Sequence, residues 1–476
     1  MNRIEDTICA IATAQGGAIG LIRVSGPEAI AATSRIFSPM KAGKRLEEAL
    51  PYSLTFGQIT DGKEVIDEVL VSLFRAPHSY TGEDSTEIAC HGSSYILQRV
   101  LQLLIKEGCR LARPGEYTQR AYLNGKMDLS QAEAVADLIA STSAATHRLA
   151  MSQMRGGFSK ELAQLRDQLL HFTSLIELEL DFSDHEDIEF ADRSELFRLA
   201  DHIEQVITRL TDSFRMGNAL KKGIPVAIVG KTNVGKSTLL NRLLHEDRAI
   251  VSDIHGTTRD VIEDTIVIGG LTFRFIDTAG LRETADAIEQ IGIQRAYQKL
   301  EEAQIVLWLV DMPPTEDELH DMASRCEDKK LIIVRNKADK QTDADFSLVK
   351  SQAALNDAGA QRSLNFQFSA FPFQYIEISA KFDPNIDVLQ RLLIQAAEMP
   401  EVTQADVIVT NARHYEALTH ALEAIQRVQQ GLHDGLSGDF LSQDIRECIY
   451  HLSDIVGEVT ADYVLQNIFK HFCVGK

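Results

Sequence analysis

PVAIVGKTNVGKSTLL, at residues 225–240, joins a short apolar run to a glycine-rich turn and the beginning of a helix. The apolar residues 226–229 predict a buried strand of a parallel sheet. Residues 230–237 have the spacing GxxxxGKS, in which backbone N–H groups wrap a phosphate chain. Lys236 would reach the outer phosphates and Ser237 would hold Mg²⁺. Because the strand and helix context is right, the segment indicates a phosphate loop rather than a chance glycine-rich turn.

The composition is that of a globular protein with several domains. A chain of 476 residues is too long for one ordinary core, so about two to four domains are expected. No apolar run approaches the length that spans a bilayer, and the first residues lack the basic and apolar regions of a secretory leader. The cysteines show no spacing typical of zinc or of a disulfide framework, which favours a reducing cytoplasm. They are Cys9, Cys90, Cys109, Cys326, Cys448 and Cys473.

The net charge of −21 bears on the class of partner. Lys and Arg contacts to phosphates supply most non-specific affinity for nucleic acid, so broad electrostatic capture is disfavoured. An RNA substrate would need a local basic groove or the help of a partner protein.

Four segments follow one another along the chain. Residues 1–120 indicate an α+β domain, and residues 121–220 indicate helices of a bundle. Residues 221–398 alternate strands and helices, which predicts a doubly wound sheet with its ligand at the carboxyl ends of the strands. Helical periodicity resumes over residues 399–476, so the α/β segment would be inserted into one discontinuous helical domain.

The elements behind this division are predicted from apolar periodicity. The strand candidates of the N-terminal segment are Thr7–Thr13, Ala18–Val24, Val65–Phe74 and Ser85–Cys90, and Ser94–Lys106 is a helix candidate. The strand candidates of the insert are Val226–Val229, Glu263–Ile268, Thr272–Asp277, Ile305–Asp311, Leu331–Arg335 and Tyr375–Ser379. The bundle has an Ala-rich helical region, Ser130–Met151, and four apolar stripes: Leu162, Leu165, Leu169, Phe172 and Leu175; Leu196, Leu199, Ile203, Val206 and Leu210; Tyr415, Leu418, Leu422, Ile425 and Val428; Ile445, Ile449, Leu452, Ile455 and Val459. The acidic connection Asp181–Phe190 could hold a metal ion, but it is more typical of a solvated loop.

Four further motifs of the insert follow in the order that a guanine-nucleotide switch requires. In residues 256–260, GTTRD, Thr258 would complete the Mg²⁺ shell beside the γ-phosphate. In residues 277–280, DTAG, the Asp would hold Mg²⁺ through water and the Gly would sense the γ-phosphate. In residues 336–339, NKAD, the Asp can accept two hydrogen bonds from guanine that adenine cannot offer. Residues 379–381, SAK, would complete the base pocket, so the set predicts GTP.

The residue after the DTAG motif departs from the small signalling GTPases. Those proteins have a Gln that orients the attacking water, whereas Leu281 cannot do so. No arginine finger is evident in the sequence. Glu289 could position the water, although it could equally be a surface carboxylate, and Asn233 could help to hold a monovalent cation.

At this point the sequence closely resembles, over its full length, the tRNA-modification GTPase family called MnmE or TrmE. The signatures outside the GTPase motifs are LIRVSG (21–26), SYTGEDSTEI (79–88), RPGEYTQRAYLNGKMDLSQAEAVADLI (113–139) and FCVGK (472–476). The resemblance implies a potassium-activated GTPase whose G domains, Ras-like in fold, pair during hydrolysis. It implies Glu289 as the catalytic glutamate, potassium ligands at Asn233, Ser252, the main chain of Ile254 and Thr257, and Mg²⁺ ligands at Ser237 and Thr258. The predicted GTP contacts are Asn233, Val234, Gly235, Lys236, Ser237, Thr238, Ser252, Asp253, Ile254, His255, Gly256, Thr257, Thr258, Asp277, Thr278, Ala279, Gly280, Asn336, Lys337, Ala338, Asp339, Ser379, Ala380 and Lys381.

The same resemblance implies a second site and several partners. The N-terminal segment is similar to a folate-binding and dimerising domain that takes 5-formyltetrahydrofolate or a related tetrahydrofolate. Its site residues would be Arg23, Glu87, Lys126 and Lys476. On the residues alone, Arg23 and Glu87 could equally be solvated surface charges. The family is a homodimer that works in a heterotetramer with an FAD-dependent protein, MnmG or GidA. Together they add an aminomethyl or carboxymethylaminomethyl group to carbon 5 of the wobble uridine of tRNA, and Cys473 is a candidate participant in that chemistry.

Two other functions are compatible with a GTPase of this length. One is an Era-like ribosome-assembly switch, which usually carries a basic RNA-binding module, whereas the flanking segments here are folate-like and acidic. The other is a dimeric scaffold that uses GTP for conformational control alone. Binding of a folate would separate both from the modification enzyme.

Overall fold

The computed structural model describes residues 6–14, 16–62, 64–182, 193–231, 233–247, 264–276, 300–339, 373–382, 385–399 and 406–459, together with residues 465, 468–470, 472 and 475. The chain divides into two compact units. The first comprises residues 1–140, 150–208 and 416–476, and the second comprises residues 141–149 and 209–415. The finer boundaries at 120, 220 and 398 stay predictions.

The N-terminal part of the first unit is a seven-stranded mixed sheet covered by two helices. Its strands are β1 (Ile8–Ile11), β2 (Ile19–Ser25), β3 (Phe37–Pro39), β4 (Ser53–Asp61), β5 (Glu64–Phe74), β6 (Ser85–His91) and β7 (Arg110–Leu111), in the spatial order β3-β4-β5-β6-β2-β1-β7. The helices are α1 (Ala29–Ile36) and α2 (Ser94–Lys106). Alternate residues of β2, β5 and β6 point into one core with the apolar face of α2. The other face of the central strands carries Arg23 and Glu87, which are directly opposite each other in the β2–β6 register.

The strand and helix predictions for this sheet are largely confirmed. β1, β2, β5 and β6 overlap their candidates, and α2 has the predicted bounds. Strand β4 was not predicted because its exposed positions are more apolar than its buried ones: Leu54 is 63% exposed and Phe56 is 47% exposed, whereas Thr55 and Gly57 are buried. This is the reverse of the alternation by which a half-buried strand is recognised.

Helices make up the rest of the first unit. They are α3 (Glu116–Leu123), α4 (Leu129–Ala140), α5 (Ala144–Met154), α6 (Gly157–Phe182), α7 (Arg193–Lys222), α11 (Ala412–His433) and α12 (Gly438–Val456). Of these, α5, α7 and α11 continue from one unit into the other. Residues 183–190 of the acidic connection lie outside the described residues.

The apolar stripes of the bundle are confirmed in part: Tyr415 is 38% exposed. Leu175, Leu422 and Ile449 are half-buried, whereas their neighbours Ile176, Ala421 and Cys448 are buried. In α7 the buried side chains follow the spacing i, i+4, i+7, i+11 and i+14, so two predicted positions are wrong by one residue. The buried set is Leu196, Ala200, Ile203, Ile207 and Leu210, whereas Leu199 and Val206 are half-buried. Helix α12 ends at Val456 with Gly457 in the left-handed conformation, so Val459 lies beyond the helix and is exposed.

The Ala-rich region predicted to be helical is confirmed, and it forms two helices, α4 and α5, separated by residues 141–143. The side chains of Ser143 and Thr146 make the break, because each accepts a hydrogen bond from the other residue's N–H, at 3.2 and 3.1 Å. This reciprocal cap gives α5 a defined beginning.

The second unit contains a six-stranded sheet between two helical layers. Its strands are β8 (Ile224–Val229), β9 (Asp264–Ile268), β10 (Leu271–Ile276), β11 (Ile305–Val310), β12 (Lys330–Arg335) and β13 (Phe373–Glu377), in the order β13-β12-β11-β8-β10-β9. All neighbours are parallel except β9 and β10. Helices α8 (Lys236–Asp247) and α10 (Ile386–Ala397) cover one apolar face, and α9 (Glu316–Arg325) covers the other. Each described strand overlaps its candidate.

The two chain segments that bound this sheet lie side by side. The Ser213 hydroxyl accepts a hydrogen bond from the Val409 N–H (3.0 Å), and the rings of Phe214 and Tyr415 are stacked with centroids 4.4 Å apart. A Cβ built at Gly217 would be 2.0 Å from the Val409 carbonyl oxygen, so the approach requires glycine. The chain therefore enters and leaves the sheet next to helix α7.

Candidate functional site

The phosphate loop lies where β8 ends and α8 begins, and its glycines are required by close contacts. Gly230 has φ +149°, and a Cβ there would be 2.4 Å from the Leu309 carbonyl oxygen. Gly235 has φ +98°, and a Cβ there would be 2.2 Å from Asn336 Nδ2. The left-handed backbone at Asn233 (φ +61°) turns the loop between them.

Lys236, the first residue of α8, is held over the loop by carbonyl groups. Its Nζ donates hydrogen bonds to the carbonyl oxygens of Gly230 (2.6 Å) and Lys231 (2.9 Å). Burial lowers the pKa of the Lys236 ammonium from its ordinary value. A phosphate would give this desolvated cation an anionic partner, and Ser237 and Thr238 are exposed at the same helix terminus.

Asn336 joins the phosphate loop to the two base-recognition motifs. The side chain is buried, and its Nδ2 donates a hydrogen bond to the Val234 carbonyl oxygen (2.8 Å). Its Oδ1 accepts a hydrogen bond from the Ala380 N–H (3.0 Å). One side chain therefore fixes the distance between the loop after β8, the loop after β12 and the segment after β13.

The candidate base pocket is formed by the two segments that Asn336 connects. The Ser379 hydroxyl donates to Asp339 Oδ1 (2.6 Å), which fixes the orientation of the carboxylate. Lys337 is left-handed (φ +63°), and its Nζ contacts Asp311 Oδ2 at 2.9 Å. The exposed Ala338 follows, with its N–H bonded to the Ile378 carbonyl oxygen (3.0 Å).

Two residues of this region were not predicted from the sequence. Asp311, directly after β11, orients Lys337, and the ring of Phe382 lies 5.2 Å from Lys381 Nζ. Asp311 could have been found from its place at the carboxyl end of a central strand, where the ligand was expected.

Several predicted GTPase residues lie outside the described part of the chain. They are Ser252, Asp253, Ile254, His255, Gly256, Thr257, Thr258, Asp277, Thr278, Ala279, Gly280, Leu281 and Glu289. Their roles stay predictions.

The second candidate site lies on the sheet of the first unit, around Arg23. Its guanidinium contacts Glu87 Oε1 through Nε (2.9 Å) and NH2 (2.8 Å), and the two side chains are only 19% and 23% exposed. The rings of Tyr80 and Tyr117 each lie 5.6 Å from the Arg23 guanidinium carbon. Arg23 and Glu87 therefore form a fixed, half-buried pair on an aromatic support, which is unlike a pair of independently solvated charges.

The C-terminal tail reaches the same place. Arg23 NH1 donates a hydrogen bond to the Gly475 carbonyl oxygen (3.3 Å). A Cβ at Gly115 would be 2.7 Å from the Phe469 carbonyl oxygen and 2.8 Å from Phe472 Cβ, so the tail follows the beginning of α3 closely. Cys473 and Lys476 flank Gly475 in the sequence but lie outside the described residues.

The side chain of Lys126 packs against the segment that carries Tyr80. Its Nζ donates to the Pro77 carbonyl oxygen (3.0 Å), and its stem lies 3.4 Å from a Cβ built at Gly82. The ammonium is exposed at that position.

The described cysteines are buried thiols, and two of them form a pair: a hydrogen bond between Cys9 and Cys109 raises the pKa of Cys9 and lowers the pKa of Cys109. Cys9, Cys90, Cys109, Cys326 and Cys448 are free and buried. Burial raises the pKa of the Cys90 and Cys326 thiols to about 11 and that of Cys448 to about 12. Among the described residues, no three His, Cys, Asp or Glu side chains are grouped as metal ligands. In the same part of the chain, no helix combines the length and apolar character needed to cross a membrane.

Comparison with known proteins gives full-length matches. A family model described as the MnmE helical domain matches residues 129–473, and one described as the GTP-binding protein TrmE N-terminus matches residues 7–126. The chain is 68% identical to the tRNA modification GTPase MnmE of Bacteroides thetaiotaomicron over 479 residues, covering 99% of this chain and all of that protein. The proteins of the same name from Bacteroides fragilis (67% identity, 99% and 100% covered) and Porphyromonas gingivalis (50%, 99% and 98%) are also similar.

Proposed function

This chain belongs to the MnmE family of tRNA modification GTPases, and we propose that it hydrolyses GTP during the modification of tRNA. With an FAD-dependent partner of the MnmG or GidA kind, it would add a carboxymethylaminomethyl or aminomethyl group to carbon 5 of the wobble uridine. The observation that supports the proposed GTP site is the pair of hydrogen bonds made by the Asn336 side chain, one donated to the Val234 carbonyl oxygen and one accepted from the Ala380 N–H, which connect the predicted phosphate loop to the predicted base-binding segments. The positions of these motifs directly after β8, β12 and β13 support the proposal of a nucleotide site in an inserted Ras-like domain.

Guanine selectivity would come from Asp339. A carboxylate there accepts hydrogen bonds from the N1–H and the exocyclic amino group of guanine, whereas adenine lacks both donors in that arrangement. Because Ser379 already holds one oxygen, the carboxylate is oriented before the base arrives. Preorganisation of this kind lowers the entropic cost of binding.

The residues at the beginning of α8 suit a triphosphate with its metal ions. Lys236 would exchange its two carbonyl partners for phosphate oxygens. The side chains of Asn233 and Ser237 are exposed on the loop and offer oxygen atoms, the ligand type preferred by K⁺ and Mg²⁺. These cations, when bound, offset negative charge that develops between the β- and γ-phosphates. Thr258 would complete the Mg²⁺ set, and Ser252, Ile254 and Thr257 would complete the K⁺ set.

Water attack would depend on Glu289, since Leu281 has no polar group to orient the nucleophile. The test is GTP turnover at equal ionic strength in KCl and NaCl, over a range of protein concentrations. We expect at least about tenfold faster turnover in potassium, and a specific activity that rises with concentration because the nucleotide-binding domains pair. Equal rates in the two salts would refute the potassium assignment while leaving the GTP site in place.

The Arg23 site would bind a tetrahydrofolate, such as 5-formyltetrahydrofolate. Because Glu87 neutralises Arg23, this pair suits the neutral pterin ring, whose edge carries both hydrogen-bond donors and acceptors. The exposed ammonium of Lys126, with Lys476, suits the carboxylates of the glutamate tail. The folate would supply the one-carbon unit, and Cys473 is the proposed participant from the chain.

Calorimetric titration with 5-formyltetrahydrofolate tests this site against the Era-like alternative. The parent chain should bind saturably, and Arg23→Met should bind at least about tenfold more weakly, because charged hydrogen bonds contribute about 1.5–3 kcal/mol. Arg35→Met is the matched control, since Arg35 forms an ion pair with Glu107 on the same domain, away from the site. No saturable binding by the parent chain would favour an RNA-associated switch without folate chemistry.

The same sheet offers a surface for the proposed homodimer. Leu54, Phe56 and Leu70 are exposed on adjacent positions of β4 and β5, with Phe56 opposite Leu70 in the register. Apolar side chains grouped on one face are typical of a contact with another protein. A second copy of the chain is the occupant implied by the family, and sedimentation of Phe56→Glu against the parent chain would test it.

A further inference from the structure

The turn between β9 and β10 lies between the two motifs that would sense the γ-phosphate. In the sequence, GTTRD (256–260) precedes the hairpin and DTAG (277–280) follows it. The turn itself is Gly269–Gly270, with φ +59° and +81°. The hairpin is therefore the described part of the chain that connects the two motifs.

The turn contacts helix α5 through atoms that cannot change rotamer. The Ala145 N–H donates to the Gly270 carbonyl oxygen at 3.4 Å. A Cβ built at Gly270 would be 3.8 Å from Ala144 Cβ. Because the contact is made by backbone and Cβ atoms alone, no side chain can adjust to absorb a shift of the hairpin.

Helix α5 is held firmly at this end. The Ser143–Thr146 cap fixes its first turn. Ala145 and Leu149 are buried in one cluster with Leu220 of α7, and Leu271 of β10 packs against that cluster. The same helix continues through residues 150–154 into the first unit.

On the other side of the turn, Gly269 contacts helix α10. A Cβ at Gly269 would be 2.5 Å from Ile394 Cδ1, so the turn is enclosed between α10 and α5. β9 has β10 as its sole strand partner in the described sheet, which leaves the hairpin attached to the sheet along one strand. A displacement of the hairpin therefore changes its contact with α5 before it disturbs the central strands.

We propose that the first turn of α5 is a positioning element for GTP hydrolysis, which reads the nucleotide state through Gly270. Ala144 and Ala145 act on the reaction through the hairpin and contact no reacting atom. The proposal rests on the proposed GTP site. It assigns a specific contact within the second unit by which the nucleotide state reaches the first turn of α5.

A cross-link between the two partners tests the contact directly. The distance of 3.8 Å between the Cβ positions of residues 144 and 270 is the mean value for a disulfide. In Ala144→Cys, Gly270→Cys, oxidised glutathione would convert the two thiols to one disulfide and release two molecules of reduced glutathione. Mass spectrometry of the linked peptides identifies the bond apart from the native thiols.

We expect the initial rate of this cross-link to differ at least fivefold between GDP and a non-hydrolysable GTP analogue with potassium. The disulfide should lower kcat for GTP at least fivefold with KM changed less than twofold, and reduction should restore kcat. The single variants, oxidised in the same way, should keep the kcat of their reduced forms. Equal cross-linking rates in both nucleotides, or full kcat in the disulfide form, would overturn the proposal.

Two measurements separate this outcome from failure of the GTP site or of folding. The affinity of the reduced double variant for fluorescent GDP shows whether the substitutions leave the nucleotide site intact. If the parent chain itself does not bind fluorescent GDP, the proposed GTP site is refuted. Hydrogen exchange of residues 144–149 in the unmodified protein needs no variant. Protection there should change at least fivefold between the two nucleotides, and an unchanged value would refute the role of α5.

Discussion

Replacing Asn336 with Ala should weaken nucleotide binding strongly because its side chain joins three segments of the pocket. The change leaves the Val234 carbonyl and the Ala380 N–H without the partners that now lie 2.8 and 3.0 Å away. A buried polar group left without its partner costs about 1–3 kcal/mol. Loss of two such bonds, with some relaxation of the loops, amounts to about 2–4 kcal/mol, which is about 30- to 800-fold in affinity.

The assay is equilibrium titration with fluorescent GDP, accompanied by thermal unfolding of each variant. Asn385→Ala is the matched control, because Asn385 makes one exposed hydrogen bond to the Glu377 carbonyl oxygen on the same unit. That control should change stability without changing the affinity for GDP. The reasoning is refuted if Asn336→Ala remains folded and binds GDP within about threefold of the parent chain.

Three further substitutions test other parts of the molecule. Ser379→Ala should weaken GDP binding about fivefold to tenfold, because Asp339 loses the hydrogen bond that orients it, and titration with GDP and ADP should show reduced discrimination. Glu289→Ala should lower GTP turnover about a hundredfold with nearly unchanged GDP affinity, and a large loss of affinity would mean a structural role. Arg120→Met should destabilise the N-terminal domain by about 3 kcal/mol in thermal unfolding, because Arg120 is 1% exposed and contacts the buried Glu116. Burial alone would raise the pKa of Glu116, but hydrogen bonds from its partners lower that pKa below 4.5. The ionised Glu116 therefore stabilises the parent chain fully above pH 4.5, and this stabilisation is lost as the pH falls below that value. Acid unfolding of the parent chain should show the loss.

Local patterns were sufficient to predict most elements but not the contacts that make the sites. Helix α2 has the predicted bounds because its apolar residues recur at helical spacing and a serine precedes it. The Asn336–Val234 bond joins residues 102 positions apart, and the Arg23–Gly475 bond joins residues 452 positions apart. No periodicity within a strand or helix carries information about such contacts.

The errors in the helical bundle have a simple geometric origin. Leu199 and Ala200 both lie near the apolar stripe of α7, and the sequence favours the larger side chain as the buried one. The structure buries Ala200 instead, because Ala200 continues the i, i+4, i+7 spacing from Leu196 to Ile203. The Ser143–Thr146 cap at the beginning of α5 was not predicted, because the Ala-rich sequence continues the helical pattern on both sides of it.

The adjacency of Ser213 and Val409 has a consequence for how the chain can be assembled. The two ends of a segment of almost two hundred residues are in contact there. The entropic cost of bringing these ends together depends only weakly on the length of the segment between them. A linker of a few residues between Ser213 and Val409 would therefore span the same short distance that the chain between them spans now.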